Sequence, residues 1–184
     1  MTEPHNRVVQ VRRFGGPDGL EVVNTPLPTA GRGEVRIRVL ASGLEYTDVV
    51  IRRHLYAQTA ARRPPFVLGY DVVGEIDQLG DGVSGFQLGD RVADMTVLGS
   101  NATYRTLRAS DLTRVPVDVD AAEAAALILS WTTAYQLLTA RPGCSAVSAC
   151  SCRAPPVPSV RRSLRSVGWS AWSCGAPRAA LTQR

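Results

Sequence analysis

Apolar and polar residues alternate most regularly over Glu34–Ser42, where Val35, Ile37 and Val39 fall on one face and Arg36 and Arg38 on the other. That period of two predicts a half-buried strand. Val8–Phe14 reads as an earlier strand, and the stretch between the two is rich in turn residues: Gly15-Gly16-Pro17-Asp18-Gly19, then Pro26, Pro28, Gly31 and Gly33. Thr47–His54 fits a short helix. Phe66–Ile76 is an apolar, β-branched run interrupted by Gly69 and Gly74, Gln87–Met95 carries a Gly89-Asp90 turn into another strand, and Asn101–Leu107 adds one more. Short strands at this spacing, punctuated by glycine, predict a mainly β fold with a few helices, closed as a barrel-like domain.

The period then changes. Asp120–Leu138 is helical in pattern, with Asp120 as N-cap and Glu123 three residues on, a variant of the capping box. Its run Ala124–Leu138 is largely apolar, which predicts a helix buried against a partner. Beyond Cys144 neither period is sustained, and a disordered tail is expected.

Composition divides the chain at the same place. All 16 carboxylates lie at or before Glu123, against 14 arginines in residues 1–138; residues 139–184 hold seven arginines, all four cysteines and no carboxylate. Three readings compete for this tail. Its charge suits a basic arm contacting nucleic acid. Cys150-Ser151-Cys152 suggests a metal site, although CxC with no nearby histidine is a poor ligand set. The third reading is out-of-frame translation. With GC-rich synonymous codons, the neighbouring frame across 147–176 spells a strand, a glycine-rich turn (GASGAVG) and a helix, the opening of a dinucleotide-binding domain. That reading is the one favoured here, and it places the break near Leu138 and makes nucleic-acid binding an unfavoured alternative. With no secretory leader and no apolar run long enough for a membrane span, the expected location is cytoplasmic.

Four motifs carry a family resemblance: GEVRIRVLASGLEYTDVVIRRHLY (33–56), PPFVLGYDVVGEIDQLGDGVSGFQLGDRV (64–92), GSNATYRTL (99–107) and LILSWTTAYQLL (127–138). Residues 7–138 thereby resemble the N-terminal, GroES-like domain of the medium-chain dehydrogenase/reductase superfamily, nearest to its zinc-free quinone oxidoreductases. The resemblance implies a GroES-like catalytic domain over 1–119, a helix over 120–138 leading to a Rossmann domain, and a spurious tail over 139–184. It implies hydride transfer from NADPH to a quinone or other activated conjugated carbonyl, a small-molecule substrate, and a homodimer for full-length members but not for this chain. The chain as given is then expected to be inactive, because its dinucleotide-binding half is missing. The alternatives are a non-enzymatic binding module with a basic tail, or an alcohol dehydrogenase-like enzyme of different substrate class.

Zinc is not expected. Where zinc-dependent relatives carry Cys and His and then Gly-His-Glu, this chain has Glu45, Tyr46 and Gly69-Tyr70-Asp71, and residues 1–138 contain no cysteine. His54 reads as a partly exposed residue at a helix end. The implied catalytic candidates are Glu45, Tyr46 and Asp48; the implied cofactor contacts are Tyr56 and Thr133. Glu45 stands where quinone oxidoreductases have Asn, and a carboxylate donates no hydrogen bond unless protonated. Asp48 reads equally as a local cap on the short helix, and Tyr70 and Asp71 as interior strand positions. Gly69, Gly74, Gly80 and Gly89 read as turn and bulge glycines with special backbone angles.

Overall fold

A computed structural model describes residues 5–139, with side chains placed through Gln136. The element order is β1 (Asn6–Val11), β2 (Leu20–Thr25), β3 (Glu34–Ser42), α1 (Tyr46–Arg52), β4 (Phe66–Val67), β5 (Asp71–Leu79), β6 (Arg91–Met95), β7 (Tyr104–Arg108), β8 (Thr113–Arg114) and α2 (Ala121–Thr139). The strands form a three-stranded sheet, β2-β1-β4, and a five-stranded sheet, β7-β3-β5-β6-β8, with every pairing antiparallel. The chain divides into two compact units, Met1–Thr133 and Ala134–Arg184. The first holds both sheets; of the second, only the last helical residues of α2 are described, and the 139–184 tail otherwise lies outside the described residues.

The alternation in β3 does what its pattern predicts. Val35 and Ile37 are fully buried and pack with Val72, Ile76, Val92 and Leu107 as the core of the larger sheet. Each such side chain contributes about 1.5–3 kcal/mol by leaving water. The opposite face is polar and paired across the sheet: Arg36 holds Asp77 at 2.9 Å and Arg38 holds Glu75 at 3.1 Å. A second core, Val11, Ile51, Leu68 and Tyr70, joins the smaller sheet to α1, with Leu129 of α2 against it.

Several expectations need adjustment. The strand read as Val8–Phe14 ends at Val11, and β2 falls within the stretch read as turn. The run Phe66–Ile76 is two strands, because Gly69 sits at φ +107°, where the chain leaves sheet geometry. Gly80, by contrast, is not in left-handed backbone. A Cβ there would meet the Glu34 carbonyl oxygen at 2.8 Å and the Gly31 carbonyl oxygen more closely still, so this position needs room.

α2 begins as predicted, with Asp120 Oδ1 accepting from the Ala122 and Glu123 amides at 2.9 and 3.0 Å. Its burial is narrower than its apolar run implied. Ala125 is buried and Leu129 partly so, whereas Leu127, Trp131 and Tyr135 are exposed and Ile128 is half-buried.

Candidate functional site

The candidate residues gather around the segment Leu68–Asp71, which is clasped from both sides. From one side comes α1. Asp48, 2% exposed, sits at the third position of that helix, and its Oδ2 accepts from the Glu45 amide at 2.9 Å. Its Oδ1 accepts from the Gly69 amide at 3.2 Å. From the other side comes the loop 96–101: the Asn101 amide donates to the Leu68 carbonyl at 2.9 Å and the Ser100 amide to the Gly69 carbonyl at 3.3 Å. The Thr96 hydroxyl also donates to the Gly69 carbonyl, at 3.3 Å, which leaves the buried Ser100 hydroxyl to donate to Thr96 at 2.8 Å. With every polar group of Gly69 engaged, the two side chains that follow it are held in place.

The first of these is Tyr70, 8% exposed, whose hydroxyl lies 3.2 Å from that of half-buried Tyr56. Their rings meet edge to face with centroids 6.4 Å apart. Burial pushes the Tyr70 hydroxyl up to about 12, and its bond to Tyr56 adds to the effect, so the group stays protonated at neutral pH. The second is Asp71, fully buried at the start of β5. Neither of its oxygens meets a donor in good hydrogen-bond geometry among the described residues, although the Gly43 and Leu129 amides face the carboxylate. A Cβ on Gly43 would fall onto that carboxylate, so the position admits no larger residue.

Asp71, Asp48 and Glu45 form an acidic group. All three are raised above the ordinary carboxylate range, in each case chiefly by burial; mutual repulsion adds to this for Glu45 and Asp71. In Asp48 the two amide hydrogen bonds pull the other way. No cluster of metal-binding side chains occurs among the described residues. With carboxylates and phenols but no thiolate or imidazole at its centre, this donor set does not suit zinc.

Sequence reasoning singled out Asp48, Tyr56 and Glu45, which the fold brings to this segment; of the two residues it read as interior strand positions, Asp71 is the first residue of β5 and Tyr70 lies just outside it. Tyr70 is the hydroxyl partner of Tyr56, and nothing in its sequence context signals that. Tyr46 is 78% exposed and its hydroxyl joins no hydrogen bond among the described residues, so it stands apart from the clasped segment. Thr133 is exposed on α2, one helical turn beyond Leu129, which packs on the Tyr70 core. His54 lies in the turn two residues beyond the end of α1, exposed, at φ 61° and with its ring 4.1 Å from Phe14.

Known proteins resemble this domain. Residues 31–117 match the family described as Alcohol dehydrogenase GroES-like domain. The human synaptic vesicle membrane protein VAT-1 homolog-like is 31% identical over 132 residues, covering 72% of this chain and 31% of that protein. The quinone oxidoreductase of Lama guanicoe is 35% identical over 136 residues, covering 72% and 40%. The solved structure of Escherichia coli quinone oxidoreductase complexed with NADPH superposes with a TM-score of 0.66 at 27% identity, covering 72% of this chain and 40% of that one. The chain thus spans less than half the length of these relatives. No helix among the described residues is long and apolar enough to cross a membrane. Residues 31–117 are an alcohol dehydrogenase GroES-like domain, and over 72% of its length the chain is similar to quinone oxidoreductases.

Proposed function

We propose that the protein reduces a quinone or other activated conjugated carbonyl with NADPH, without zinc, and that this domain supplies the residues that receive the carbonyl oxygen. The observation that carries the proposal is the Tyr56–Tyr70 hydroxyl pair. Two phenols share one proton between them and have a second to give. Buried Tyr70 donates to Tyr56, and half-buried Tyr56 then directs its own proton outward to a substrate oxygen. As electron density grows on that oxygen, a preorganised donor stabilises it. Asp48 is a positioning residue that holds the segment carrying Tyr70. Glu45, raised toward its protonated form, is a second group able to orient the acceptor.

NADPH, when bound, supplies the hydride. Among the described residues no glycine-rich turn joins a strand to a helix, and the contacts proposed for them, at Tyr56 and Thr133, are with the nicotinamide end of the cofactor. The phosphate cradle belongs to the segment legible in the neighbouring frame. Cytoplasmic location and pairing of full-length subunits are part of the same proposal.

The test is acceptor-dependent NADPH oxidation with benzoquinone and with an α,β-unsaturated ketone. It is run on the 184-residue chain and on the product of the gene with one base restored near the Leu138 codon. The 184-residue chain is expected to show no turnover and the restored product to show it, with Tyr56→Phe lowering kcat about a hundredfold. Turnover undiminished by Tyr56→Phe, or absent from both proteins, overturns the proposal.

A further inference from the structure

Arg105 lies on β7 in register with Ile37 and two residues from buried Leu107, so it shares the face that the core residues Val35, Ile37 and Leu107 occupy. A guanidinium at such a position carries a large desolvation cost. Little inside the domain offsets that cost. Its Nε is buried with no hydrogen-bond partner, and it makes no ion pair within 4 Å among the described residues. The carboxylate of Asp94 is the one that acts on it through space. Its guanidinium packs against Gly99, at a point where any Cβ would displace it.

Arg105 opens instead onto a cavity of about 370 Å³ that it lines with Gln58, Thr59, Arg62 and Thr96, closed on one side by Val97 and Leu98. The polar groups lining this cavity are two guanidiniums, two hydroxyls and an amide, and no carboxylate is among them. Exposed Arg62 has no ion pair among the described residues. Two guanidiniums are a binding set for an oxyanion, since each can present paired N–H groups to two oxygens, whereas the Thr59 and Thr96 hydroxyls already donate to the Tyr56 and Gly69 carbonyls. Val97 and Leu98 also pack against the core containing Tyr70, so this cavity is separate from the Tyr56–Tyr70 pair and adjoins it through those two side chains.

We propose that this cavity is a binding site for a small oxyanion, a carboxylate or a phosphate, held by Arg62 and Arg105. The proposal does not depend on the reductase reading. It predicts a site for an anionic portion of a substrate or for a separate small ligand.

Calorimetric titration of the 184-residue chain with inorganic phosphate and with malonate tests it. Saturable binding is expected for at least one probe, and the one that binds more tightly identifies the source. Arg62→Gln and Arg105→Gln should each weaken it by about tenfold or more, the usual consequence of losing a hydrogen bond to a charged group. Arg32→Gln, an exposed arginine elsewhere, should leave it unchanged. Circular dichroism establishes whether Arg105→Gln is folded; Arg62, on the surface, keeps the test decisive if it is not. The proposal is overturned by absence of saturable binding of both anions. It is equally overturned if Arg62→Gln binds as tightly as Arg32→Gln, which would mean diffuse attraction to the many arginines of the chain.

Discussion

Substituting Asp48 by Asn leaves one of its two amide partners without an acceptor while keeping the shape of the side chain. The carboxylate accepts two amide hydrogen bonds, from Glu45 at 2.9 Å and Gly69 at 3.2 Å. Asparagine can accept only one of them, and its NH₂ group then faces the other amide donor to donor. The two amides differ in burial: that of Gly69 is enclosed, while that of Glu45 lies nearer solvent and can be satisfied by water. Leaving one buried donor unpaired costs about 1–3 kcal/mol. Against this, removing a charge that burial already disfavours returns part of the loss, because Asp48 titrates above its ordinary range. The net expectation is destabilisation of about 1–2 kcal/mol for Asp48→Asn, and more for Asp48→Ala, which orphans both amides. Urea denaturation followed by circular dichroism measures both variants. If Asp48→Asn has the wild-type midpoint and slope, or is more stable, the two bonds do not hold the segment and the site's architecture is misread. A variant that unfolds no more easily but exchanges the Gly69 amide faster would locate the loss in the loop alone.

Glu45, Asp48, Asp71 and Asp94 all titrate above the ordinary carboxylate range, chiefly through burial. Their contribution to stability is therefore present below the unfolded-state value and lost as pH rises through the folded-state values, so these groups make the domain less stable at neutral than at mildly acidic pH. Asp71→Asn should flatten that dependence in denaturation midpoints measured across the range; an unchanged slope would refute it. Gly80→Ala drives a Cβ into the Gly31 and Glu34 carbonyl oxygens, backbone atoms that cannot swing away, and should cost about 1–3 kcal/mol or more in the same assay. Leu127 and Trp131 place exposed apolar surface one turn apart on α2. Poor solubility is expected, and Leu127→Gln should lower light scattering at a given concentration without changing the circular dichroism spectrum.

The sequence alone determined those features that depend on local chemistry. The period-two pattern over Glu34–Ser42 placed β3 at its observed limits, and Asp120 marked the start of α2 through a cap that acts within one turn. The absence of cysteine from residues 1–138 was likewise plain from the sequence, so those residues offer no thiolate ligand. Motif spacing was enough to point to the GroES-like domain, because matched segments in a common order encode a shared topology. Features that depend on long-range contact were not legible. Leu20–Thr25 has mixed exposure and no clean alternation, and it is a strand because its whole length pairs with β1. Gly80 reads like any turn glycine until the Gly31 carbonyl is brought against it. Tyr70 and Asp71 read as strand interior, and only the clasp between α1 and the loop 96–101 makes one the partner of Tyr56 and the other a buried carboxylate. Arg105 looks like an ordinary polar residue on an alternating strand. That its side chain faces inward is set by its register with Ile37 on β3, a residue 68 positions earlier in the chain.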